Sequence, residues 1–142
     1  MADLLPSALC EDLAERLSEK LDPIPVVYGP PEGAPESLLC WVRYGPVEFE
    51  WGGLYVRLPS VSVTVGIKRG GQYMSEYRFV NDTAHLVAVA LSELTTDQTY
   101  LANEAPITGV SITEPAEVTY AGQPLMAAQV AIAIETKGLA AL

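Results

Sequence analysis

Val61-Ser62-Val63-Thr64-Val65-Gly66-Ile67 is the stretch that decides the fold. Apolar residues alternate with small or polar ones at a period of two, which predicts a strand with one buried and one polar face. Upstream, Val47-Glu48-Phe49-Glu50-Trp51 and Leu54-Tyr55-Val56-Arg57-Leu58 alternate in the same way. Gly52-Gly53 between them is a two-residue hairpin signal, and it puts Glu48, Glu50 and Arg57 on solvent-facing positions. Gly45-Pro46 predicts a turn out of an apolar strand at residues 38–44. Ile24-Pro25-Val26-Val27-Tyr28 predicts a short strand, placed at a sheet edge by its proline. Residues 29–37, with Pro30, Pro31, Pro35, Gly29 and Gly33, predict a surface loop. Downstream, Gly70-Gly71 predicts a second hairpin whose return strand, residues 73–80, carries Tyr73, Ser75, Tyr77 and Phe79 on one face. Its tip gathers Lys68, Arg69 and Arg78 around Glu76.

Two helices bracket this block. Leu5, Leu9, Leu13, Leu17 and Leu21 recur every four residues with Ala14 beside them, one apolar stripe over residues 4–21. Ser7 is the expected N-cap, Glu11, Asp12 and Glu15 sit in the half the helix dipole favours, and Pro23 and Pro25 forbid continuation. Asn81-Asp82-Thr83 supplies N-cap residues for a second helix at 82–94, whose expected core-facing stripe is Leu86, Val87, Ala90, Leu91 and Leu94. Residues 95–103 read as a polar loop. Strands follow at 107–113 and 117–120 around Pro115; Ala121-Gly122 turns into a last long strand at 125–136. There Val130, Ile132 and Ile134 alternate with Ala131 and Ala133, so the alanine face is expected to be covered by a helix or a neighbouring subunit. The fold class is therefore α+β: one domain over residues 1–142, a mostly antiparallel sheet of short strands with two helices packed on one face.

The chain has 142 residues, 49% of them hydrophobic and 18% charged, which reads as one globular domain. Its longest apolar runs fall well short of a bilayer-crossing helix, and Met1-Ala2-Asp3-Leu4-Leu5-Pro6 lacks the basic start of a signal peptide, so synthesis in a cytoplasm and no membrane partner are expected. A net charge of −10 argues against gripping nucleic acid, which needs a basic face. Cys10 and Cys40 read as buried hydrophobes, and the lone His85 as a capped or solvated residue.

No chemistry-bearing motif survives weighing. One histidine and two cysteines do not make a metal site, and neither a Gly-x-Ser-x-Gly elbow nor a P-loop occurs. Glu48 and Glu50 share a solvent face with nothing to raise either pKa. The expectation is no catalytic residue, no cofactor and no metal. Trp41, Trp51, Tyr55, Tyr73 and Tyr77 read as sheet core and sheet edge or, where exposed, as interface. The candidate subunit interface comprises Lys68, Arg69, Tyr73, Tyr77 and Arg78 on the basic-aromatic tip, Glu11 and Glu15 on the acidic first helix, and Trp51.

This order of elements resembles the tail terminator (tail completion) proteins of long-tailed phages. The resemblance rests on an amphipathic helix at 6–21, a short strand and proline-rich loop at 24–37, hairpins at 61–80, a helix at 82–94 and a final strand at 125–136. It covers nearly the whole chain and transfers no signature residues. It implies a virion protein that forms a hexameric ring, caps the tail tube, joins it to the head connector, and performs no reaction. DNA would pass through the lumen without specific binding, and an acidic wall suits that passage. A ring also needs two different complementary patches, for which the basic-aromatic tip and the acidic helix are the candidates. Two alternatives stand beside it. One is another head–tail joining, neck or tail tube protein. The other is a small-ligand-binding α+β domain, which would need a deep pocket with convergent polar groups.

Overall fold

A computed structural model describes residues 6–51, 54–94 and 107–134, with side chains for 7–44, 61–94 and 109–132. The elements in chain order are α1 (Pro6–Leu21), β1 (Val26–Tyr28), β2 (Leu39–Trp51), β3 (Leu54–Lys68), α2 (Tyr73–Leu94), β4 (Ile107–Ile112), β5 (Ala116–Tyr120) and β6 (Gln123–Ile134). They form the expected α+β arrangement, a six-stranded sheet ordered β1-β2-β3-β6-β4 with β5 also paired to β6. Every pairing is antiparallel except β1 with β2. α1 packs on β1 and β2, α2 on β3, β6 and β4, and the helices touch each other.

The alternation read at residues 61–67 builds the core. Val61, Val63 and Val65 face the helices in register with Ile132, Val130 and Ala128 on one side and Tyr44, Val42 and Cys40 on the other. Leu9, Leu13 and Leu17 close over them from α1, and Val80, Ala84, Val87 and Leu91 from α2. Each fully buried Val or Leu contributes roughly 1.5–3 kcal/mol. Cys10 and Cys40 are 0% exposed, and burial pushes both thiols up to about 12.

Several expected boundaries shift. α1 is described from Pro6, a residue suited to the first helical position, so Ser7 lies inside the helix; residues 4 and 5 of the expected helix lie outside the described residues. No turn forms at Gly45-Pro46. The strand runs through, and Pro46 lies opposite Pro59 in one continuous β2–β3 ladder. This is permitted because, among the described residues, β1 pairs β2 only up to Val42 and β6 pairs β3 only from Val61 onward. A missing N–H on the outer edge of a two-stranded ribbon breaks no ladder. The ribbon reaches Trp51 opposite Leu54, consistent with a turn at Gly52-Gly53, which lies outside the described residues, as does the loop expected at 95–103.

The largest correction is at residues 73–80. They form the first turns of a 22-residue helix, not a return strand, so Asn81-Asp82-Thr83 is mid-helix and caps nothing. Thr83 instead donates its hydroxyl to Phe79 C=O four residues back, at 2.8 Å. The reason is tertiary: Val80, Thr83, Ala84 and Val87 all bury against the sheet at helical spacing, which a strand could not achieve.

β4 and β5 run in succession along one edge of β6, interrupted at Thr113–Pro115. Thr113 repairs the break. Its N–H donates to Gln129 C=O, and its Oγ1 accepts from Gln129 N–H, both at 2.9 Å. Ala121 and Gly122 turn β5 into β6 with φ of 51° and 78°, the pair of positive angles that a type I′ hairpin demands.

The face away from the helices carries Trp41, Thr64, Gly66, Leu125 and Ala127. The crossover loop between β1 and β2 lies over part of it. Pro35 C=O accepts from Lys68 N–H at 2.9 Å, and Pro31 C=O accepts from the Tyr120 hydroxyl. Trp41 on β2 and Tyr120 on β5 bring their rings to 5.7 Å, although three strand spacings, roughly 14 Å, separate their backbones. Gly66 makes this possible, since a Cβ there would lie 3.2 Å from both the Trp41 ring and a Leu125 methyl. Gly66→Val is therefore expected to destabilise the fold by about 1–3 kcal/mol in urea denaturation and to weaken the near-UV circular dichroism of the Trp41–Tyr120 pair. Both cysteines are expected to resist a thiol reagent in the native protein and to react fully in denaturant.

Candidate functional site

The polypeptide leaves β3 and turns directly into α2, and this junction holds half of the candidate interface, namely Lys68, Arg69, Tyr73 and Tyr77. Lys68 ends β3 and pairs with Glu36 at 3.3 Å. Arg69 is the hub. Its guanidinium binds Glu76, reaches Glu117 on β5 at 3.2 Å, and lies over the Tyr73 ring at 5.2 Å from the centroid. Glu76 in turn accepts from the Gly70 and Gly71 N–H groups at 3.1 and 2.9 Å. Gly70-Gly71 thus leads into the helix and is held by its first-turn carboxylate, which also suits the helix dipole. Tyr73 and Tyr77, one turn apart, stack at 6.3 Å, and the Tyr77 hydroxyl donates to Glu114 at 2.5 Å.

The electrostatics follow from these contacts. Partial burial pushes the Glu76 carboxyl up, but the Gly71 and Gly70 N–H groups and Arg69 outweigh it and hold the carboxyl below its usual range. Arg69 is raised, chiefly by its bond to Glu76. Tyr77 is raised by the hydrogen bond to Glu114. The junction acts as a brace whose cations are met by carboxylates of the same chain.

The remaining candidates lie elsewhere. Arg78 is exposed on the outer surface of α2, and Glu11 and Glu15 are exposed on α1. α1 and α2 lie side by side, bridged by Lys20 and Glu93 at 3.5 Å. The side chain of Trp51, at the far end of β2, lies outside the described residues. His85 is exposed mid-helix. Among the described residues, no three His, Cys, Asp or Glu side chains converge as a metal site would require, and no helix is long and apolar enough to cross a membrane.

Two surfaces escaped the sequence reading. The first is a concavity of about 730 Å³ on the helix-free face of the sheet. Trp41, Thr64, Leu125 and Ala127 form its floor, the 28–30 segment and Tyr120 border it, and Arg43, Glu114 and Gln129 supply polar groups. Its trace in the sequence was the mostly small residues on the polar side of β3 and β6: Ser62, Thr64 and Gly66 against Ala131 and Ala127, with Gln129 between them. Ala131 is exposed and nothing in the chain covers it among the described residues. The second surface is the outer face of α2, where Phe79, Leu86 and Val89 are 51–56% exposed. Leu86, expected in the core-facing stripe, points outward; Val80, Ala84, Val87 and Leu91 complete the buried side without it.

Compared with known proteins, the chain matches no family model, and no curated protein is significantly similar to it in sequence.

Glu76 yields a pH test. Its folded-state pKa lies below the unfolded value, so the stability it contributes is present above the ordinary carboxylate range and is lost as pH falls through the depressed value. Glu76→Gln is expected to melt below wild type at pH 7, and the gap to close as pH is lowered through the acid range in a series of thermal melts.

Proposed function

We propose that this chain is a structural virion protein of the tail-terminator kind, a subunit that assembles into a ring, caps the tail tube of a long-tailed phage and joins it to the head connector. The observation that carries this reading is the β2–β3 ribbon, which among the described residues runs on with no third strand beside it. A two-stranded ribbon is marginally stable by itself in water. Residues 47–51 and 54–58 nonetheless place Val47 opposite Leu58, Phe49 opposite Val56 and Trp51 opposite Leu54. Such a ribbon gains stability by packing on another chain, which is what an assembly subunit needs and a free-standing binding domain does not.

Two further features support the reading. The order helix, short strand, proline-rich crossover, helix and final strand keeps part of the order on which the resemblance to tail terminators rests, while the hairpin counted at 61–80 drops out of it because residues 73–80 belong to α2. The net charge of −10 suits a ring whose lumen passes DNA without holding it. The partners on this reading are further copies in a hexameric ring, the tail tube protein and the head–tail connector. The protein would reside in the virion neck after synthesis in the host cytoplasm, act without catalysis and need no cofactor. A second reading, a small-ligand-binding domain, is favoured by the concavity with Arg43, Glu114 and Gln129.

Electron microscopy of particles made without the protein separates the readings. Overlong tail tubes are the expected result. Tails of normal length that fail to join heads would assign it to the neck. Intact virions would overturn a joining role. Native mass spectrometry of the purified protein is expected to show a ring, whereas a monomer stabilised by a small ligand would favour the second reading.

A further inference from the structure

We infer that the outer face of α2 on one copy docks into the helix-free concavity of the next copy, so that subunits join head to tail. This inference rests on the self-assembly reading above and names the two surfaces that reading requires. The two patches belong to opposite faces of the same sheet, so no copy can satisfy its own. Unlike patches that complement each other generate a heterologous contact, which closes into a ring when the rotation between copies permits.

The dimensions agree. The floor of the concavity crosses β2, β3, β6 and β5, three strand spacings or roughly 14 Å. The apolar stripe from Phe79 to Val89 spans ten residues of helix, about 15 Å. Phe79, Leu86 and Val89 are each more than half exposed, and small residues such as Ala127 and Thr64 on the floor leave room for them. The docked helix would form a third layer on a sheet that already carries helices on its other face.

The charges choose this partner and its direction. Glu114 stands at one side of the concavity and Arg43 at the other. Along the outer face of α2, Arg78 lies near the start, and Asp82 and Glu93 lie beyond it. With Arg78 over Glu114, the acidic end of the helix runs toward Arg43. The reverse direction sets Arg78 against Arg43, which juxtaposes like charges. Glu93 lies about 22 Å along the axis from Arg78 and is held by Lys20 of its own chain, so the direction rests on Arg78 reaching Glu114. About a dozen residues on one helix face make an interface at the low end of the specific size range. A single pair is therefore weak, and closure, in which every copy makes two such contacts, is what stabilises the assembly.

Disulfide trapping tests this directly, because Cys10 and Cys40 are buried, with thiols pushed up to about 12, and stay silent under a mild oxidant. The doubly substituted Leu86→Cys, Gln129→Cys protein is expected to give a ladder of covalent oligomers, since Leu86 lies about 12 Å along the helix from Arg78 and so falls near β6 in this direction. Mixing the two single variants is expected to give only a cross-linked dimer of one with the other. Self-dimers of Leu86→Cys alone would show that α2 faces meet each other and would overturn the proposal. No ladder from the double variant, while wild type forms a ring by native mass spectrometry, would overturn this surface and leave the assembly reading standing. A wild-type monomer at every concentration would remove both. As an independent check, Arg78→Glu is expected to lower the ring population at least tenfold without altering circular dichroism, and adding Glu114→Arg to restore most of it. A ring population indifferent to both substitutions would sink the docking direction.

Discussion

Every ladder that joins the two halves of the sheet passes through β3, and only part of β3 is able to carry that load. From Val61 to Lys68 it pairs with β6 on one edge, and over Leu54 to Gly66 with β2 on the other. Pro59 lies just outside the doubly paired part. A proline cannot donate to a second ladder, so among the described residues the five-strand-wide sheet stops there and only the β2–β3 ribbon continues. The same boundary fixes the core. Val61, Val63 and Val65 are the helix-facing residues of the doubly paired stretch, and both helices seat on the rows these three define. The core, the ribbon and the place where one gives way to the other are consequences of one strand changing from two neighbours to one.

The other face of β3 sets the second layer of organisation. Gly66 removes a side chain where Trp41 needs to lie across the sheet toward Leu125 and Tyr120. The tryptophan and Tyr120 then anchor the proline-rich crossover, and the crossover borders the concavity. At the same end of β3, Lys68 N–H and Arg69 N–H bond Pro35 and Pro124, so the loop and the β5–β6 hairpin are tied to adjacent residues. Arg69 extends this tie to the first turn of α2 through Glu76. The placement of α2, and hence the direction its outer stripe faces, depends on a brace built at the point where β3 ends.

The legible parts of the fold were those with one consistent period. Residues 61–67 alternate without exception, and the leucines of α1 recur every four residues, so both elements and their buried faces followed from sequence. Residues 73–80 misled because Tyr73, Ser75, Tyr77 and Phe79 satisfy a period of two while Tyr73, Tyr77 and Val80 satisfy a helical one. Burial of Val80 and Ala84 on the sheet decides between them, and that information is tertiary. Gly45-Pro46 misled because a proline usually ends a strand, and only its position opposite Pro59 on a singly paired ribbon removes the objection. Of the candidate interface, the clustering of Lys68, Arg69, Tyr73 and Tyr77 was visible from proximity in sequence. That Arg69 is met by Glu117, 48 residues away, was not. The concavity was hidden for a similar reason, since it requires β2, β6 and β5 to meet across Gly66.

A chain of net charge −10 must overcome mutual repulsion to associate with copies of itself. That repulsion is long-ranged and screened within about 8–10 Å at ordinary ionic strength, whereas apolar contact and close ion pairs act below that distance. Association therefore needs surfaces on which apolar area is concentrated and the local charge alternates, whatever the global sum. The acidic face of α1, with Glu11, Glu15 and Glu19 exposed, does not meet this condition. The brace does not either, because its charges are already paired within the chain. The outer face of α2 and the concavity do, each combining apolar area with one cation and at least one carboxylate. On the self-assembly reading, the charge distribution would direct association to the two faces of the sheet and away from the α1 surface that exposes Glu11, Glu15 and Glu19.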